Sequence, residues 1–237
     1  MTAKVEQVFG GDLGARPVGL TDVNTRARFI MRTYVHLFGA IIAFTLIEIL
    51  LFTSGAAERI AGALLGVSWL WVLGGFIVVS WLATHAAHSA RSLAVQYAAL
   101  TGFVAAEALI FVPLLYMAQK LAPGTIESAA VVTMVGFTGL TIIAFMTRTD
   151  FSFLGGILRW GLGCALLVIV AGVIFGFSLG MWFSVAMVAL AGAAILYDTS
   201  KILRHYPEHL YVGAALELFA SVALMFWYVL RIFMSRD

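Results

Sequence analysis

The sequence predicts an all-α integral membrane protein built as a seven-transmembrane-helix bundle. Three observations carry that prediction. Apolar residues make up 62% of the 237-residue chain and charged residues only 11%, whereas soluble domains carry roughly 25% charged. The apolar residues gather in seven runs near the length of about 20 residues that a spanning helix needs. The runs are continuous rather than alternating, and since lipid admits only helices or closed barrels, helices are expected.

The elements follow in order. Residues 1–28 are polar, contain Gly, Pro and charges, and lack the apolar core of a signal peptide. They are expected to form a disordered tail, leaving the first span to direct insertion. Spans are expected at about 29–53, 68–85, 93–118, 127–147, 155–177, 181–203 and 210–234, giving one transmembrane domain over 29–235. The connections are short and carry turn formers: Ser54-Gly55, Pro123-Gly124 and Pro207. Pro113 in the third span frees a backbone carbonyl and permits a local kink. Gly172 and Gly176 have the GxxxG spacing that suits close helix packing. Trp69, Trp71, Trp160, Trp182 and Trp227 lie mostly near span ends, as an aromatic belt would place them. Asp150 is placed to cap the helix that follows it.

Charge sets orientation. Lys4, Arg16, Arg26, Arg28 and Arg32 precede or open the first span, and Arg91, Arg148, Arg159, Lys201 and Arg204 flank the even connections. Only Arg59 and Lys120 lie on the other side, so the N terminus is expected in the cytoplasm. Arg231 and Arg236 oppose an outside C terminus. A net charge of +2 gives no argument for nucleic acid, and the single Cys164 excludes an internal disulfide and a cysteine metal cluster. There is no nucleotide-binding Gly-rich loop or HExxH site, so no catalytic residues and no cofactor are expected.

The chemistry lies in four acids within the spans: Glu48, Glu107, Asp198 and Glu217. A carboxylate in a bilayer costs several kcal/mol unless paired, protonated or wetted, which makes each a functional-site candidate. Glu48, about one turn from the end of the first span, is expected to snorkel to the interface. Glu107, near the centre of the third, should face the bundle interior, as a helix-joining hydrogen bond or as an ion site. Asp198 and Glu217 flank the loop between the last two spans at equal distance, so they should lie at similar depth. Facing each other, they would titrate as a coupled pair, able to share a proton or to hold a hard cation such as Ca2+. Ser221 follows Glu217 at i+4 on the same face. The alternative pairs Asp198 with Lys201 or Arg204.

Three segments resemble a known family. The run AGAAILYDTSKIL (191–203) is similar to the Tyr-Asp-Thr-Gln-type signature of the transmembrane Bax inhibitor-1 family. The segment AFMTRTDFSFLGGIL (144–158) resembles the family's loop between the fourth and fifth spans, and ALELFASVALMFWYVLRIF (215–233) resembles its last helix. The resemblance covers about 24–235 and implies a seven-helix bundle with the last helix central. It implies a pH-sensitive Ca2+ leak, or a proton-coupled one, and for some bacterial members a membrane-bound ATP-dependent protease as partner. The family's pH sensor pairs two aspartates, and Asp198 matches the first. Ser221 stands where the second would be, and Leu224 replaces a following asparagine. A second-helix glutamate that some members carry is absent. His85, His88 and Arg91 at the end of the second span are candidates for its cationic latch, and Glu217 is a candidate for the missing carboxylate. A histidine latch would respond to pH in the neutral range. Three functions compete: a leak channel for Ca2+ or protons, a non-conducting regulator docking on a membrane partner, and, least favoured, an intramembrane enzyme, for which no second aspartate is available.

Overall fold

A computed structural model describes residues 17–89, 92–147 and 149–235. Its helices are α1 (Val23–Thr53), α2 (Ala56–Leu65), α3 (Trp69–Ser89), α4 (Leu93–Leu121), α5 (Thr125–Thr147), α6 (Leu154–Phe175), α7 (Met181–Arg204) and α8 (Tyr211–Met234). Seven of them, all but α2, are long and apolar enough to cross a membrane. The chain is an all-α membrane protein, as the sequence predicts.

The last helix is central. α8 packs against α1, α3, α4, α5 and α7. Its neighbours can approach because its sequence supplies small residues: Gly213, Ala214, Ala215, Ser221 and Ala223 are all buried. With no hydrophobic drive between helices in lipid, such close packing and buried hydrogen bonds hold a bundle together. Gly213 marks a close approach: a side chain there would lie 3.1 Å from the carbonyl oxygen of Ala87 on α3.

Three details differ from expectation. The first is α2, ten residues long, about 15 Å at ~1.5 Å per residue and too short to cross. Its small residues Ala57 and Ala61 pack on Val112 of α4, and Glu58 accepts a hydrogen bond from the Tyr116 hydroxyl at 2.9 Å. The second is the segment before α1. From Pro17 it is folded into the bundle: Val18 is fully buried and its N–H donates to the Tyr206 carbonyl in the α7–α8 loop at 2.8 Å. Asp22 then caps α1 through the Thr25 N–H. The rest of the expected tail, residues 1–16, lies outside the described residues. The third is the Gly172/Gly176 pair. Gly172 faces the carbonyl of Phe177 in its own following loop, not another helix. Gly176 ends α6 in the left-handed conformation, φ 72°, where glycine carries no Cβ penalty. The spacing serves a helix terminus.

At the α5–α6 loop, Asp150 Oδ1 accepts from the Ser152 N–H at 3.0 Å and caps the 3-10 turn Phe151–Phe153 that leads into α6. It also accepts from the Ser200 hydroxyl at 3.3 Å, tying the loop to α7. The Ser152 N–H holds the Asp150 carboxyl below the usual carboxylate range. A carboxylate with a depressed folded-state pKa stabilises above its unfolded value of about 3.9 and loses that contribution as pH falls through the folded one. Asp150→Ala is therefore expected to lower thermal stability in detergent by up to about 1 kcal/mol at neutral pH. The difference from wild type should vanish under strong acid.

Candidate functional site

The site lies where α7 and α8 face each other near their shared loop, which we term the proximal end of the bundle. Asp198 projects from α7 and Ser221 from α8, and both are buried. The Ser221 hydroxyl donates to Asp198 Oδ2 at 2.6 Å. One turn nearer the loop, Lys201 Nζ contacts Glu217 Oε2 at 2.7 Å. Lys201, the alternative partner of Asp198, thus turns to Glu217. Its ammonium also sits over the rings of Tyr197 and Tyr206, at 5.2 and 5.0 Å from their centroids, which compensates a cation withdrawn from water.

His88 closes the cluster from α3. Its Nδ1 lies 2.7 Å from the Thr84 carbonyl, which fixes a proton on that nitrogen, since a carbonyl can only accept. Its Nε2 lies 3.0 Å from the Tyr206 hydroxyl and 3.1 Å from Glu217 Oε1. A neutral His88 accepts from Tyr206; a protonated one donates to Glu217. Burial pushes the Tyr206 phenol well above its ordinary range, so Tyr206 is a neutral donor throughout. The arrangement is a two-state contact controlled by one proton.

Other candidates fall elsewhere. Glu107 lines a cavity of about 820 Å3 bounded by α3, α4, α6 and α8, and Ser221 reaches the same cavity from the proximal side. His85, a candidate latch, is not in the cluster: it is exposed and stacks on Trp81, with centroids 5.5 Å apart. The two histidines are three positions apart on α3, and of the two it is His88 that meets Glu217 on α8. Arg91 lies outside the described residues. Glu48 does not snorkel to an open surface. It is buried, and neither carboxylate oxygen has a hydrogen-bond partner. It shares a helical face with Leu51 and Phe52, which pack on the Ala57–Ala61 cluster of α2, so the helix end is covered where an open interface was expected. Among the described residues, no group of three or more His, Cys, Asp or Glu is placed to hold a metal ion.

The geometry joins the three recognisable segments, and comparison with known proteins agrees. The family model described as inhibitor of apoptosis-promoting Bax1 matches residues 26–237. The chain belongs to the Bax inhibitor-1 family. Among family relatives, protein PA2604 of Pseudomonas aeruginosa is 34% identical over 165 residues, covering 68% of this chain and 72% of that protein. Protein Cj0236c of Campylobacter jejuni is 33% identical, covering 58% of this chain and 62% of that protein. The protein named modulator of FtsH protease YccA, of Escherichia coli K12, is 36% identical over a shorter stretch, 38% of this chain and 42% of that protein. Within this Bax inhibitor-1 chain, Ser221 bonds directly to Asp198. Glu217 stands one turn away with partners of its own. Sequence reasoning did not single out Tyr206 or Thr84. The signal for Tyr206 was its position in the α7–α8 loop, beside Pro207 and within a turn of Lys201.

Proposed function

We propose that this multi-pass membrane protein is a pH-sensitive leak pathway for Ca2+ or other cations, with Asp198 as the titrating acid and no enzymatic activity. One observation carries the proposal. Ser221 belongs both to the cavity wall and to the buried hydrogen bond with Asp198. The acid therefore stands between the cavity on its distal side and the Lys201–Glu217–His88 cluster on its proximal side. That cluster ties α3, α7 and α8 together, so a change in its protonation bears on the helices that close the proximal end. The excess of Lys and Arg at this end supports a cytoplasmic N terminus, and the name of an E. coli relative, inner membrane protein YccA, supports an inner-membrane location.

The test is Ca2+ flux in proteoliposomes between about pH 5 and 8. Asparagine stands for the protonated acid, so Asp198→Asn is expected to conduct at every pH at the level wild type reaches in acid. Glu217→Gln is expected to shift the pH response without abolishing it. Unchanged flux and pH response in both variants would sink the proposal. The name of the E. coli relative favours a second reading, a non-conducting regulator that docks on a membrane-bound protease. Crosslinking to such a protease in native membranes, with no flux in purified liposomes, would favour that reading.

A further inference from the structure

The cavity beside Ser221 has a second property. It is a groove between α3 and α6, with α4 and α8 as its floor, running from Thr84 and Ser221 to Arg231 near the distal end of α8. Several residues on its lips are exposed: Ile77 on α3 is 41% exposed, and Leu166 and Val173 on α6 are 36% and 39%. These residues lie in membrane spans, so the groove opens sideways into lipid. From Ser221 to Arg231 is ten residues of α8, about 15 Å at ~1.5 Å per residue. That is the depth of one leaflet, half of a hydrocarbon core of about 30 Å.

Charge selects the occupant. Arg231 donates one hydrogen bond, to the Leu179 carbonyl at 3.3 Å, and lies 5.8 Å from the centroid of the Tyr228 ring. Among the described residues, no carboxylate lies within ion-pairing distance of it. A guanidinium carries five donors in a planar fork that matches phosphate oxygens, so most of its capacity faces the groove mouth. Trp69 and Trp227 stack there, with centroids 6.0 Å apart, as aromatic rings do at headgroup level. The other charged side chain in the wall, Glu107, stands at mid-depth. A cationic amphiphile would have to carry its charge there, whereas an anionic headgroup needs only to reach the mouth.

We propose that this groove holds one acyl chain of an anionic phospholipid, with the phosphate on Arg231 and the chain running toward Ser221. The test is native mass spectrometry of delipidated protein in detergent, titrated with phosphatidylglycerol or phosphatidylcholine of identical acyl chains. Wild type is expected to retain one phosphatidylglycerol about tenfold more tightly than phosphatidylcholine, the size of one charge-assisted contact. Arg231→Gln should erase the preference, and Arg231→Lys should keep part of it. Leu166→Trp, on the exposed lip, should weaken both lipids alike by filling the groove. Equal retention of the two lipids by wild type, or an undiminished preference in Arg231→Gln, overturns the headgroup assignment. Unchanged binding by Leu166→Trp overturns the groove as its location. The Lys and Trp variants keep the test decisive if Arg231→Gln does not fold.

Discussion

Replacing Glu217 with leucine is expected to lower the stability of the bundle by about 2 kcal/mol, the largest loss for any single polar side chain at the proximal end. Lys201 and Glu217 are only 25% and 22% exposed along their side chains. Removing one partner of a buried pair leaves an uncompensated charge, which typically costs 3–5 kcal/mol in the interior of a soluble protein. Polar contacts within membrane proteins are worth about 1–2 kcal/mol, and Lys201 keeps its two tyrosine rings, which places the expectation between these ranges. The double variant Lys201→Met/Glu217→Leu supplies the discriminating measurement. With both charges gone the desolvation penalty goes with them, so most of the loss should be recovered in thermal denaturation in detergent. A double variant as unstable as the sum of its singles would mean that the pair acts through packing alone.

The second large effect is expected at Gly213. A Cβ there already lies 3.1 Å from a backbone oxygen of α3, an atom that no rotamer change can move. Gly213→Leu should drive α3 from α8 and cost about 2–3 kcal/mol, in the range for overpacked interiors. Ala87, the residue it strikes, immediately precedes His88. The His88–Glu217 contact at 3.1 Å is therefore expected to open in the same variant. Its imidazole should then titrate independently of Glu217, a change that NMR of a selectively labelled histidine would detect. An unaltered His88 titration in a stable Gly213→Leu protein would show that the two helices can separate without disturbing the cluster.

The fold was legible because lipid imposes one rule on the whole chain: every span must be long, apolar and helical. The seven runs therefore announced themselves, and α2 did not. Its ten residues mix Glu58 and Arg59 with alanines and match neither a span nor a turn. Val18 was hidden for a different reason. One valine in a polar stretch gives no periodicity, and its burial follows from a loop 188 positions away in sequence. Asp198 was legible from cost alone, since a carboxylate in AGAAILYDTSKIL demands an explanation. Its partner was not. Equal spacing about the loop put Asp198 and Glu217 at one depth, but spacing gives neither the register nor the rotation of two packed helices. The helices pair one turn out of that register, so Ser221 meets Asp198 while Glu217, one turn nearer the loop, meets Lys201 and His88. The same limit applies to His85 and His88, three positions apart on one helix. Glu48 failed for want of α2, the short helix that covers its end of α1.

The direct bond from Ser221 to Asp198 has a consequence for proton stoichiometry. The cluster holds two carboxylates, Asp198 and Glu217, against one permanent cation, Lys201. With His88 neutral it carries one net negative charge, and a single proton brings it to zero, whether His88 or Asp198 receives it. A site with two aspartates beside Glu217 would need two. A hydroxyl rather than an acid at position 221 thus leaves neutralisation of this cluster a single-proton event, with a gradual rather than cooperative dependence on acidity.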